Sequence, residues 1–262
     1  MKLAFMSSVW PAATLGQLID AAKRHGYEAT ELRPQWKHGH GVELTASADE
    51  RRQLAQTLRD GGLPVCCLSP GTRFNQPEAA ARQQELDQLH HYIDLAAELG
   101  IPLLRVFADP LPAGGGGARA AAYRILADCY GRGAEHAAGA GVRLAIETHM
   151  NCRAVDIGEV LFHAGYPAAL WVNWHLSHCL RHGEDVDEAY RHIKGRIAHV
   201  HFSVDEKQEA LATLSRQYRL LADEGYDGCW SVEVINPPDP ESVLTHHKAM
   251  WPRIGGGDGR QC

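Results

Sequence analysis

The chain has 262 residues, 45% apolar and 22% charged, with a formal net charge of −6 and 7 cysteines. That length supports a sizeable core without covalent staples, and the acidic balance argues against nucleic acid as the main partner, because a phosphate backbone wants a basic surface. An odd cysteine count with no CxxC pair is no disulfide framework and fits a reducing cytoplasm, and no apolar run is long enough to span a bilayer.

From the amino terminus, LAFM (3–6) reads as a first strand rather than as part of a signal peptide. Further strand-like runs are EATELR (28–33), PVCCLS (64–69), LLRVF (103–107), RLAIE (143–147), ALWVNW (169–174), IAHVHF (197–202) and WSVEV (230–234). Helix-like stretches lie between them, among them 14–25, 48–60, 78–99, 118–138 and 206–224. In 78–99, Leu86, Leu89, Ile93, Ala96 and Ala97 recur at helical spacing and make one face apolar. Gly26, Gly61, Gly100, Gly141 and Gly225 each close a helix pattern ahead of a strand.

Eight strands alternating with helices predict a parallel sheet closed as a (β/α)8 TIM barrel over one domain, residues 1–254. An open doubly wound sheet lacks its glycine-rich phosphate fingerprint after the first strand. GGGG at 114–117 reads as a mobile loop at the barrel mouth, and GGGDGRQC (255–262) as a flexible tail.

Chemistry in such a barrel sits where strands end. Those ends carry Glu147, His175, His201 and Glu233, spaced by 28, 26 and 32 residues. One strand–helix repeat takes roughly 30 residues, so the four occupy matching heights on strands five to eight. Two carboxylates and two imidazoles make a candidate divalent-metal site. Taken singly, each is open to a plainer reading, as a hydrogen-bonded core histidine or an arginine-paired glutamate. As a set they need a shared partner, because unpaired buried polar groups cost roughly 1–3 kcal/mol each.

Arg33, Arg73 and Arg105 also fall at the barrel mouth. Their forked guanidinium groups suit a carboxylate or phosphate of a substrate; internal pairing, Arg33 with Glu31 and Arg105 with Asp109, is the alternative. The loop WKHGHG (36–41) is either a lid or a solvated turn, and Trp10 and Phe74 are either pocket wall or core.

The runs LAIETH (144–149), VNWHLSH (172–178), HVHF (199–202) and SVEV (231–234), together with GLPVCCLSPGTRFN (62–75) and IDLAAELGIPLLRVF (93–107), resemble the sugar-phosphate isomerase/epimerase family with the xylose-isomerase-like barrel. The resemblance covers nearly the whole chain. It implies one divalent metal ion (Mn, Zn, Co, Fe or Mg) held by the last four strands, and isomerisation or epimerisation of a sugar, sugar phosphate or hydroxy-keto acid through a metal-stabilised enediolate. By the same resemblance Glu147 and Glu233 bind the metal and move protons. His178 steadies a substrate oxygen or shuttles a proton, His149 lines the pocket or lies in water, and the chain is a candidate homo-oligomer.

One position departs from the pattern. Family members commonly read V-N-x-D-P-S-H, and here His175 stands where the aspartate ligand is expected and Leu176 where the proline is. Either His175 is a substitute ligand, which favours softer metals over magnesium, or the metal site is altered or lost. Asn173, two residues earlier on the same strand face, is the alternative ligand. Apurinic-site endonucleases share the barrel but need further histidines where this chain has Ser69, Pro70 and Ala108. A metal-dependent dehydratase or lyase, and a sugar-binding barrel without metal, remain as rival readings.

Overall fold

The computed structural model describes residues 1–114, 116–204 and 211–255. Eight parallel strands, β1 (Lys2–Met6), β2 (Ala29–Leu32), β3 (Val65–Leu68), β4 (Leu103–Val106), β5 (Arg143–Glu147), β6 (Leu170–His175), β7 (Ile197–Phe202) and β8 (Cys229–Val232), pair in chain order as a closed barrel. This is the expected (β/α)8 fold, and every strand boundary falls within two residues of its apolar run. Each strand is buried almost throughout, as parallel strands covered on both faces are.

The helices are α1 (Leu15–His25), α2 (Ala48–Gly61), α3 (Ala79–Leu99), α4 (Gly117–Gly139), α5 (Ala154–His163), α6 (Leu176–Arg181), α7 (Val186–Ile193), α8 (Leu211–Asp223) and α9 (Pro240–Ile254). Capping boxes start α1, from Thr14 to Gln17, and α2, from Ser47 to Glu50. Each satisfies backbone donors that a helix start leaves without partners. At the end of α2 the expectation needs correcting. Gly61 is the last helical residue, and Gly62 takes the left-handed turn at φ 61°. Gly61 lacks a side chain for another reason: a Cβ there would come within 2.7 Å of Ile19 Cδ1 on α1.

Two compact units make up the chain, residues 1–66 with 199–262, and residues 67–198. The last glycine of the GGGG run already belongs to α4, while Gly115 lies outside the described residues. So do residues 206–210 of the expected 206–224 helix and all but Gly255 of the expected tail.

Candidate active site

In the unit formed by residues 67–198, Glu147 closes β5 and His175 closes β6. Glu147 is fully buried and His175 nearly so. His175 Nδ1 lies 3.1 Å from Glu147 Oε1. The Thr148 hydroxyl fixes this spacing, accepting the His175 backbone N–H at 2.7 Å and donating to the His175 carbonyl at 3.0 Å. On β4, Arg105 is completely buried, with Nε 3.2 Å from Glu147 Oε2. Its guanidinium lies 3.8 Å from the centre of the Phe107 ring, and Nη1 donates to the Pro70 carbonyl at 3.3 Å. The internal partner of Arg105 is thus Glu147 rather than Asp109. A buried guanidinium beside a buried carboxylate compensates charge that neither group could carry alone.

The first turn of α6 carries His178, nearly buried, whose Nδ1 accepts the Met150 N–H at 3.2 Å. A neutral ring that accepts at Nδ1 carries its proton on Nε2. His178 packs on His175 and His149, with ring centres 4.5 Å and 4.6 Å apart. His149 is no loop histidine in water: its Nδ1 is 2.8 Å from Asp109 Oδ1, and its ring stacks at 4.5 Å on Phe107. Arg73 is partly exposed, 4.0 Å from Asp109 Oδ2 and above the Phe107 ring at 4.8 Å. Asn173 is buried on the same face of β6 as His175, and neither of its amide atoms has a hydrogen-bond partner among the described residues. Phe74 packs edge-on against Tyr130 and belongs to the core.

The other unit assembles a second set around β7. His201 is fully buried, with Nε2 at 2.9 Å from Glu31 Oε1 and Nδ1 at 3.3 Å from Glu233 Oε2. His199, two residues earlier on the same face, places its Nε2 2.9 Å from Glu31 Oε2. Burial alone would raise the Glu31 pKa, but His201 and His199, both hydrogen-bonded to it, outweigh burial and hold the carboxyl well below the usual range. The partners of Glu31 therefore include His199 and His201. Arg33 lies over the Trp36 ring at 3.8 Å. The WKHGHG loop is not a solvated turn at its histidines: His38 bonds Ser7 Oγ at 2.9 Å, and His40 is buried.

The sequence reading passed over His199 and the role of Asp109. The period of two in HVHF could have found the first, since it puts both histidines on one face. No short-range pattern joins Asp109 to His149 across 40 residues.

No curated protein matches the chain in sequence. Among solved structures, it superposes on an L-ribulose 3-epimerase with a TM-score of 0.79 at 17% identity, covering 98% of this chain and 95% of that one. A D-psicose 3-epimerase solved with D-fructose gives 0.78 at 16% identity, covering 98% and 100%. A 3-keto-D-glucoside 4-epimerase from E. coli gives 0.77 at 15%, covering 97% and 99%. At such identities these likenesses speak for the fold. The family model described as xylose isomerase-like TIM barrel matches residues 19–253, nearly the whole chain, and the chain belongs to that family.

Proposed function

We propose that the chain is a divalent-metal-dependent isomerase or epimerase of a sugar, sugar phosphate or hydroxy-keto acid, moving a proton beside the carbonyl of an open-chain substrate. The observation that carries this reading is the setting of His201, with Glu31 on Nε2 and Glu233 at 3.3 Å from Nδ1. Glu31 accepts, so the neutral ring keeps its proton on Nε2 and turns a lone pair towards another acceptor, the Glu233 carboxylate. Two acceptors set face to face suit a shared cation, and a carboxylate behind a histidine fixes a ligand ring in this way. In the other unit, His175 Nδ1 lies 3.1 Å from Glu147 Oε1.

We assign Glu147, His175, His201 and Glu233 as ligands of one ion. Two carboxylates with two imidazoles suit zinc, manganese, cobalt or iron better than magnesium. When bound, the ion supplies Lewis-acid polarisation of a carbonyl oxygen. Glu147 and Glu233 take up and return the proton. His178 offers its Nε2–H to a substrate oxygen, and Arg73 offers a partly exposed guanidinium to an acidic or phosphorylated group. The three superposing structures described above are sugar epimerases, which supports a sugar as substrate. We also place the chain in a reducing cytoplasm, from its odd cysteine count and the lack of a CxxC pair. Among the described residues no helix is long and apolar enough to cross a membrane. We also read residues 1–254 as one functional domain.

Elemental analysis of tag-free protein, followed by solvent deuterium exchange into D-fructose, D-psicose and L-ribulose, tests the reading. The expected result is stoichiometric metal and exchange into at least one ketose, abolished by Glu233→Gln without change in the circular dichroism spectrum. Protein that holds no metal after soaking, or normal turnover in that variant, overturns it.

A further inference from the structure

The pair formed by His149 and Asp109 has no part in the ligand set above, yet it is built as a functional histidine is built. Asp109 follows β4, is almost fully buried, and sets Oδ1 2.8 Å from His149 Nδ1. Phe107 and His178 pack against the His149 ring, with centres at 4.5 Å and 4.6 Å, so the imidazole is oriented as well as bonded. A histidine present for packing alone would have both ends enclosed. Here one nitrogen is tied to a buried carboxylate, while the side chain keeps 23% of its surface and Nε2 has no partner among the described residues.

The polarity of that open nitrogen follows from the tie. An ionised aspartate only accepts, so Nδ1 carries the proton, and in the neutral ring Nε2 presents a lone pair. His178 beside it has the opposite polarity, because its Nδ1 accepts the Met150 N–H. Carboxylate and phosphate oxygens are acceptors and gain nothing from an acceptor nitrogen. A hydroxyl can donate to it.

Resting on the sugar chemistry proposed above, we propose that His149 reads a hydroxyl of the bound sugar by accepting its hydrogen bond, and that Asp109 is the positioning residue that keeps Nε2 an acceptor. His149 then selects for a hydroxyl at one carbon and against an acidic group at that place. Arg73, 4.0 Å from the other oxygen of Asp109, balances the aspartate's charge from outside the pair.

Imidazole nitrogen NMR on the full chain, with the His149 signal identified by its loss in His149→Phe, tests both parts. The expected spectrum of neutral His149 shows the proton on Nδ1, moving to Nε2 in Asp109→Asn. Addition of D-fructose is expected to shift the Nε2 resonance. One of the monodeoxy derivatives of D-fructose is expected to leave it unmoved and to bind about tenfold more weakly than D-fructose. In His149→Phe that tenfold preference disappears. A wild-type ring protonated on Nε2, or a resonance indifferent to every sugar, overturns the proposal. The two readings fail separately. Deuterium exchange with an unmoved His149 refutes the hydroxyl contact alone, while a responding His149 without metal or exchange refutes the enzyme reading alone.

Discussion

His175 closes β6 with its Nδ1 already turned on Glu147, so a change there reads out both ligand identity and metal preference. We expect His175→Asp to keep metal binding and to move preference from zinc towards manganese and magnesium, since a harder oxygen replaces nitrogen. Competition between the ions for tag-free protein measures this; an unaltered preference removes His175 from the ligand set. Glu31 acts one step behind. Glu31→Gln removes the charge that holds the His201 tautomer, and metal affinity is expected to fall by about 10- to 100-fold in chelator competition. The apolar runs put Glu147, His175, His201 and Glu233 at or near strand ends, and a repeat of roughly 30 residues matched their heights. It could not show that Glu31 joins His199 and His201. That contact spans about 170 positions, and sequence distance says nothing about which strands meet.

Two elements are pinned by histidines that serve as bridges between backbone groups. His40 accepts the Val42 N–H at 3.0 Å and lies 3.3 Å from the Arg33 carbonyl. His247 on α9 accepts the Val204 N–H at 3.0 Å through Nε2 and donates from Nδ1 to the Val243 carbonyl at 2.8 Å. Each ring must be neutral to hold both bonds. Burial pushes both pKa values down to about 4, against the smaller opposing effect of the carbonyl bond. Below the ordinary histidine value near 6.5 the unfolded chain takes up protons that the folded chain refuses, so stability falls as pH drops from about 6.5 towards 4. We expect about 3 kcal/mol lost per histidine over that window. Urea unfolding at pH 7 and pH 5 should show the loss, and a smaller one in His247→Gln. The loop before His40 is tested by Gly39→Ala, since a Cβ there would lie 2.5 Å from the Ala12 carbonyl oxygen and 2.8 Å from that of Ala13. Neither backbone oxygen can easily yield, and a cost of about 1–3 kcal/mol is expected in the same experiment.

Across the whole molecule, the order of the eight strands was legible because each apolar run is short and a helical pattern or a glycine separates it from the next. Gly26 and Gly100, both left-handed near φ 70°, mark two of these divisions without ambiguity. Adjacent glycines at 61 and 62 blurred a third, since one serves a turn and its neighbour a close helix contact. A bound ion should add to the stability of this fold by mass action: at 100-fold above its dissociation constant it contributes about 2.7 kcal/mol. Chelation is therefore expected to lower the melting temperature by about 5–10 °C, recovered on adding zinc or manganese. A melting curve indifferent to chelator would count against a resident metal.

The buried pairing of Arg105 with Glu147 bears on the order of events in the life of the protein. A carboxylate sealed in the interior with no cation of any kind would oppose folding, and the polypeptide would have to capture its metal while still immature. A guanidinium supplied by the chain itself lifts that constraint. Under the proposed metal dependence, synthesis can then run to completion in metal starvation, and a finished molecule can wait, already shaped, for its ion.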